Sequence, residues 1–132
     1  MSGLGRIRRW SPAIALAALV LLVAACGGAP AASVAPAPSG ALAVEATEYK
    51  FTPATLGVAA GDVVFWVRNA GTVDHEFEVL QGERVVAKME AIGPGTAKVV
   101  PVTLAAGEYT FMCKLSGHDQ LGMKGTLTVT GG

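Results

Sequence analysis

The sequence predicts an all-β fold, a sandwich or barrel of short strands, for residues 41–132. Two observations predict this fold. Short runs rich in apolar and β-branched residues recur along this region, and Gly, Pro, Asn and Asp separate them. No long stretch shows the 3.6-residue period of an amphipathic helix. The length of 132 residues fits one ordinary domain and leaves no room for two substantial ones.

Six segments carry the strand pattern, each between turn-forming residues. The first alternates through Leu42 and Val44, and the second reads Val-Val-Phe-Trp-Val-Arg between Gly61 and the turn residues that start at Asn69. Four further segments follow with the same punctuation. The predicted strands are residues 41–47, 62–69, 74–81, 98–104, 108–113 and 124–130.

The phase of each segment predicts the core, because alternate side chains of a strand point to one face of its sheet. The sets expected to face the core are Val63, Phe65 and Val67; His75, Phe77 and Val79; Tyr109, Phe111 and Cys113; and Met123, Leu127 and Val129. The opposite faces carry side chains that suit water, namely Arg68, Glu76, Glu78, Glu108, Lys124 and Thr128. Trp66 and Val64 also fall on the outer side, and the sequence offers no reason for this.

The first 25 residues have the layout of a secretory signal. Three arginines lie in the first ten residues, and an uncharged apolar stretch covers residues 12–25. This stretch is shorter than the roughly 20 residues that span a bilayer, so a transmembrane anchor is the less favoured alternative. It ends in Val-Ala-Ala-Cys at residues 23–26, which resembles the lipobox of bacterial lipoproteins and predicts lipidation of Cys26.

Residues 26–40 are predicted to tether the domain to the membrane. Pro30, Pro36 and Pro38 lie there among Ala, Gly and Ser, without charge or apolar period, which favours an extended segment that does not pack.

The charge distribution excludes one class of function. Lys and Arg total 10, as do Asp and Glu, whereas a nucleic-acid binder shows a strong basic excess. Without the three N-terminal arginines, 7 basic and 10 acidic residues remain. The mildly acidic body therefore has no electrostatic preference for nucleic acid.

Four residues of the predicted domain have the side chains of a copper site. The domain contains two histidines, His75 and His118, one cysteine, Cys113, and Met123 at the start of the last strand. The spacing is Cys-x4-His-x4-Met, with His75 distant in sequence. Two imidazoles, a thiolate and a thioether are the donors of a blue-copper centre, which is trigonal His2Cys with a long axial Met. The combination therefore indicates one copper ion.

Each of these residues also has a simpler explanation when taken alone. A single histidine at a strand start is usually structural, a lone cysteine is more often buried apolar filling, and a lone methionine fills the core. A disulfide between Cys26 and Cys113 is possible in an exported protein, although lipidation of Cys26 would exclude it. Structural zinc fits poorly because zinc favours more Cys or His over Met. The joint pattern in the correct strand phase favours copper.

Residues 41–131 resemble a cupredoxin along their whole length. The similarity includes Asn-x-Gly-x3-His-x-Phe at residues 69–77, Pro-Gly-Thr at 94–96, Gly-x-Tyr-x-Phe-x-Cys at 107–113, Gly-His at 117–118 and Gly-Met-x-Gly at 122–125. The family resemblance implies a Greek-key β-sandwich with one type 1 copper that carries single electrons. The ligand loop is similar to the longer loops of rusticyanin-like and sulfocyanin-like members.

The resemblance also implies a role for each site residue. His75, Cys113 and His118 would be equatorial ligands, and Met123 the axial one. His118 would be the ligand nearest the surface and the exit for electrons. Apolar residues would surround that exit, and the candidates for this patch are Leu115, Leu121 and Pro94 with Gly95.

One position departs from the family pattern. Many relatives have Asn or Ser directly after the first His ligand, where it hydrogen-bonds to the ligand loop. Here that residue is Glu76, and Lys114 follows the cysteine. We hypothesise that Glu76 and Lys114 form an ion pair that replaces the neutral crosslink.

The sequence therefore predicts a lipid-anchored, extracytoplasmic one-electron carrier that is not an enzyme. Its partners would be redox proteins such as a cytochrome or a terminal oxidase or reductase, with no nucleic acid or small-molecule substrate, and the chain would be a monomer. The alternative function is a module that buffers or delivers copper without electron transfer. A relative of multicopper oxidases or nitrite reductases is not favoured, because those proteins need further domains. A binuclear copper site is also disfavoured, because it needs two cysteines in the loop and here only Cys113 is present.

Overall fold

The computed structural model describes residues 33–132, which form nine strands and one short 3-10 helix. The strands are β1 (Leu42–Thr47), β2 (Lys50–Thr52), β3 (Thr55–Ala59), β4 (Gly61–Asn69), β5 (His75–Gln81), β6 (Arg84–Ile92), β7 (Ala97–Leu104), β8 (Gly107–Met112) and β9 (Lys124–Thr130), and the 3-10 helix is Leu115–Leu121. The predicted signal, Cys26 and the first part of the tether lie outside the described residues. No helix in residues 33–132 is long and apolar enough to cross a membrane.

Two sheets form a β-sandwich. The first sheet has the order β2-β1-β4-β7, and the second has the order β3-β9-β8-β5-β6. The chain passes from β4 in the first sheet to β5 and β6 in the second, returns for β7, and crosses again for β8 and β9. The predicted all-β, Greek-key sandwich is confirmed, and each of the six predicted segments matches a strand to within one residue at either end.

Three strands, β2, β3 and β6, were not predicted. The first has only three residues, and the other two lie at the edges of the second sheet, where few side chains are buried. Irregularities in the pairing of β5 with β6 also interrupt the alternation along β6. Met89 lies in β6 opposite Phe77 and is buried.

All four predicted core-facing sets are buried between the sheets. At the centre, the rings of Phe51, Phe77 and Phe111 pack with centroids 5.5–5.6 Å apart, which is favourable edge or tilted aromatic geometry. Gly125 of β9 lies against Phe111, and a Cβ atom there would overlap that ring and lie 2.6 Å from the Ala54 carbonyl oxygen. The aromatic cluster therefore needs a glycine at this position.

The outer faces differ from the prediction at two places. Glu76 and Glu78, which were expected to face water, are 8% and 5% exposed. Their strand β5 is covered on both edges by β6 and β8, and lysines of the flanking segments lie over the carboxylates.

The second difference concerns Trp66 and the tether. Residues 33–36 and Pro38 line the same surface cleft as Trp66. The part of the tether that the structure describes therefore lies beside the sandwich, although the sequence predicted that it would not pack. This neighbour gives a reason for an aromatic side chain on the outer face of β4.

Candidate metal centre

The pairing of β5 with β8 brings His75 and Cys113 to the same end of the second sheet. These strands are antiparallel neighbours, with Val79 opposite Phe111. His75 is the first residue of β5, and Cys113 directly follows the last residue of β8. Since antiparallel strands run in opposite directions, the start of one lies beside the end of the other.

The connection from β8 to β9 folds back to supply the second histidine. Ser116 and Gly117 have left-handed backbone angles, with φ of 51° and 76°, and they turn the 3-10 segment sharply. The Met123 N–H then donates to the His118 carbonyl at 3.1 Å, and the Cys113 N–H donates to the Met123 carbonyl at 3.1 Å. These bonds close the loop and hold His118 beside Cys113.

The ligand atoms of His75, Cys113 and His118 all lie within 4.8 Å of one another. The Cys113 sulfur is 3.4 Å from Nδ1 of His118 and accepts the Glu76 N–H at 3.4 Å. His75 and Cys113 are fully buried, and His118 is 7% exposed. Three predicted ligands from separate parts of the chain therefore meet at one buried point, and His118 is the most exposed of them.

The electrostatics of these side chains fit a bound metal. Neither nitrogen of the buried His75 ring has a hydrogen-bond partner among residues 33–132. Burial lowers the pKa of His75, although the nearby Glu48 carboxylate acts in the opposite direction, and the lowered pKa favours the neutral ring, which can donate a lone pair to a metal. Burial raises the pKa of the Cys113 thiol, and a metal cation replaces that proton when it binds.

This donor set suits copper as the cofactor. Thiolate selects soft ions such as Cu(I), and imidazole suits copper in both oxidation states. His75, Cys113 and His118 would hold one copper ion, which would supply one-electron exchange.

Met123 lies where the sequence predicts it. Its side chain is fully buried in the core, and its backbone hydrogen bonds join it to both Cys113 and His118. Its role as axial ligand stays a prediction.

The crosslink at Glu76 exists in a different form from the hypothesis. Glu76 Oε1 accepts the backbone N–H of Lys114 at 3.0 Å, while the Lys114 ammonium lies 3.3 Å from Glu78 Oε2 instead. The Lys88 ammonium lies 3.4 Å from Glu78 and 4.0 Å from Glu76. The Glu76 carboxylate thus forms the crosslink to the ligand loop itself, through the backbone N–H of Lys114. This N–H lies closer to Glu76 than the Lys88 ammonium does.

The three candidate patch residues differ in exposure. Leu121 is 60% exposed and Pro94 is also exposed, whereas Leu115 is half-buried and packs against the core. Leu115 and Leu121 are the two ends of the 3-10 segment that contains His118. Pro94 lies in the β6–β7 turn, where the Gly95 N–H donates to the Asn69 carbonyl at 2.9 Å.

Two consecutive residues beside the histidines were missed by the sequence analysis. Oε1 of Glu48 lies 3.4 Å from Nε2 of His75, and the Tyr49 ring packs on His118 with centroids 4.8 Å apart. Both belong to the short β1–β2 connection. Sequence pattern gave no signal for them, because nothing in residues 48–49 indicates which loop they will meet.

Comparison with known proteins identifies relatives of part of the chain. Over 78 aligned residues, the chain is 38% identical to the iron uptake system component EfeO of Yersinia pestis. The alignment covers 59% of this chain and 20% of that protein. The EfeO protein of Escherichia coli is 35% identical over 88 residues, covering 67% of this chain and 22% of that protein. The chain thus spans about a fifth of the length of the curated relatives it matches.

Solved structures share the fold at low sequence identity. A reduced auracyanin from the photosynthetic bacterium Roseiflexus castenholzii has a TM-score of 0.63 at 19% identity, with 71% of this chain and 99% of that chain covered. Auracyanin A from Chloroflexus aurantiacus, described as a blue copper protein, has a TM-score of 0.58 at 22% identity, with 69% and 100% covered. An azurin from Methylomonas sp. strain J has a TM-score of 0.62 at 17% identity, with 70% and 98% covered.

The family follows from a separate match. The sequence profile of the cupredoxin-like domain matches residues 13–129, which is most of the chain. The sandwich topology and the grouped His75, Cys113 and His118 agree with that match. The chain therefore belongs to the cupredoxin-like family.

Proposed function

We propose that this protein is an extracytoplasmic one-electron carrier, held at the membrane by a lipid on Cys26, that binds one copper ion cycling between Cu(I) and Cu(II). The observation that carries the proposal is the convergence of His75, Cys113 and His118 at one buried point. Met123 is proposed as the fourth, axial ligand. The protein is not proposed to be an enzyme.

The surroundings of the ligands favour small structural change on electron transfer. The Glu76 N–H donates to the Cys113 sulfur, and the Glu76 carboxylate holds the Lys114 N–H. These contacts fix both the direction of the thiolate and the start of the loop. A site whose ligands are held by the scaffold reorganises little between oxidation states, and outer contacts of this kind tune the metal.

Electrons are proposed to leave through His118. It is the most exposed of the three grouped ligands, and Tyr49 and Leu121 provide exposed apolar surface nearby in space or sequence. A redox protein, such as a cytochrome or a terminal oxidase or reductase, would dock at this end of the sandwich, and this chain would bind it as a monomer. The secretory layout of residues 1–25 supports an extracytoplasmic location.

Reconstitution with Cu(II) tests the site. We expect an intense visible thiolate-to-copper band that Cys113→Ser abolishes. Met112→Leu is a matched control, because Met112 is the neighbouring sulfur residue and lies outside the core phase, so this variant should keep the band. A purified protein that stays colourless with Cu(II), or a Cys113→Ser variant that keeps the band, would contradict the proposal.

The relatives favour a second candidate, a metal-delivery role. The matched proteins are named iron uptake system components, and two carboxylates, Glu48 and Glu76, lie beside the ligands. The thiolate and imidazoles nevertheless suit copper better than Fe(III), which prefers oxygen donors. A module that buffers or delivers copper would share this site.

Redox cycling separates the two functions. The copper-loaded protein is reduced and reoxidised repeatedly in the presence of a strong Cu(I) chelator. A carrier keeps its copper and its visible band through many cycles. Transfer of the copper to the chelator within the first reductions would support delivery and refute the carrier.

A further inference from the structure

Glu48 is held against the loop that precedes His75. Its Oε1 accepts the backbone N–H groups of Thr72 at 2.6 Å and Val73 at 3.0 Å. Gly71 completes the contact, because a Cβ atom there would overlap Oε1 of Glu48 and lie 2.9 Å from its Cδ. The carboxylate therefore occupies a fixed place formed by the backbone of residues 71–73.

The same oxygen atom faces the metal-ligand histidine. Glu48 Oε1 lies 3.4 Å from Nε2 of His75, slightly beyond the usual N–H···O hydrogen bond of about 2.7–3.2 Å. His75 is fully buried, whereas the Glu48 side chain is 29% exposed. Within residues 33–132, no hydrogen bond reaches either nitrogen of His75, and the Glu48 carboxylate is the charged acceptor that the structure places beside Nε2.

A neutral imidazole carries one proton, and its place decides which nitrogen can bind a metal. A proton on Nε2 would lie on the nitrogen nearest Glu48 Oε1 and would leave the lone pair on Nδ1 for the metal. His118 presents the same atom, since its Nδ1 is the nitrogen 3.4 Å from the Cys113 sulfur. Carboxylate partners of this kind orient ligating histidines and raise their basicity in other metal sites.

We propose that Glu48 is a positioning residue of the metal centre, which keeps the His75 proton on Nε2, leaves Nδ1 as the ligand atom, and adds a negative charge that favours Cu(II) over Cu(I). This inference rests on the copper-binding function proposed above. It assigns to the β1–β2 connection a role in setting the reduction potential.

The contacts allow charge and hydrogen bonding to be separated. One oxygen, Oε1, receives all three contacts, so the amide oxygen of Glu48→Gln can accept them without the charge. We expect Glu48→Gln to keep the visible band and to shift the ratio of Cu(II) to Cu(I) dissociation constants about tenfold toward Cu(I), or about 59 mV upward in potential for a one-electron couple. Glu83→Gln is the control, because it removes an exposed carboxylate at the far end of β5, about 20 Å away at ~3.3 Å per residue.

The tautomer is measured without copper. Long-range ¹H–¹⁵N spectra of the ¹⁵N-labelled copper-free protein should show His75 protonated on Nε2 in the wild type and in Glu48→Gln. Glu48→Ala, which removes the acceptor, should give a mixture of the two tautomers. Circular dichroism checks that each variant is folded.

The outcomes are distinct from those of the proposed function. A wild-type ring protonated on Nδ1, or an unchanged tautomer in a folded Glu48→Ala, would overturn the positioning role. A Glu48→Gln potential equal to that of Glu83→Gln would overturn the charge effect. Absence of the copper band in the wild type would instead refute the copper function, while the tautomer measurement would still stand.

Discussion

Replacing Asn69 by alanine should destabilise the protein by about 3 kcal/mol, because its side chain joins three segments at the metal end of the sandwich. Asn69 is fully buried at the end of β4. Its Nδ2 donates to the carbonyls of Val73 and Ile92, both at 2.8 Å, and its Oδ1 accepts the Gly71 N–H at 2.9 Å. The loop before His75 is thereby tied to the end of β6.

The magnitude follows from what the substitution leaves behind. Each of the three hydrogen bonds contributes a net ~0.5–1.5 kcal/mol, and an acceptor left buried without a partner costs about 1–3 kcal/mol. The bond to Ile92 is buried, whereas the bonds to Val73 and Gly71 lie where water reaches one side. One full penalty and two smaller ones give about 2–4 kcal/mol.

Urea unfolding of the copper-free protein measures this loss as a change in the midpoint at constant m-value. Asn69→Asp is a close isostere that keeps an acceptor but places oxygen against two carbonyls, so it should be at least as destabilising. Thr103→Val removes an exposed hydrogen bond to Asp62 and should change stability by less than about 0.5 kcal/mol. A loss below about 1 kcal/mol for Asn69→Ala would refute the reasoning.

Four further predictions concern the site and its support. Met123→Leu should keep the visible band and raise the reduction potential, because loss of the thioether donor disfavours Cu(II); voltammetry measures this. His118→Gly should open the centre to external imidazole, whose addition restores the visible band. The pKa of Glu48 is lowered from 4.5 to about 2, chiefly by the backbone N–H groups of Thr72 and Val73, so its stabilising effect is complete above pH 4.5 and is lost as the pH falls toward 2. Acid unfolding curves of the copper-free protein should therefore be less steep in that range for Glu48→Gln. Gly125→Ala should destabilise the fold by more than about 2 kcal/mol, measured by urea unfolding, because the added methyl overlaps the buried Phe111 ring.

Each of these expectations has an outcome that contradicts it. An unchanged potential in Met123→Leu would remove Met123 from the ligand set, and a His118→Gly centre that ignores imidazole would mean that His118 is not the outward ligand. Identical acid unfolding of wild type and Glu48→Gln would show that the unfolded and folded pKa values do not differ as stated. A Gly125→Ala variant of wild-type stability would mean that β9 can move away from Phe111.

The sequence predicted the strands that alternate cleanly, together with the candidate ligands at their ends: His75 is the first residue of β5, and Cys113 directly follows β8. Phe77 and Phe111 share the strand phase of His75 and Cys113. The alternation that places the two rings in the core therefore also places these two candidate ligands on the buried face. The family resemblance then paired the ligand loop with β5. The edge strands were not predicted because they bury few of their side chains. In β6, for example, only Met89 and Ile92 are buried.

The contacts made by loops could not be predicted from pattern. Glu48 reaches His75 through a turn of two residues between β1 and β2, and the Gly71 backbone gives it room. Glu76 was expected on a solvent face, but the neighbours of β5 cover it, and its oxygen finds the backbone of Lys114. Such pairings depend on which strands become neighbours, and alternation within one strand carries no information about that.

The hydrogen bond from Cys113 N–H to the Met123 carbonyl, at 3.1 Å, has an architectural consequence. It fastens the two stems of the 114–122 excursion together, and β8 and β9 continue their pairing immediately below it, from Met112 opposite Lys124. Residues 114–122 therefore form a loop whose two ends are joined by a hydrogen bond directly above the paired strands β8 and β9. Residues 114–122 can therefore change without altering the pairing of β8 with β9 in the sandwich below them.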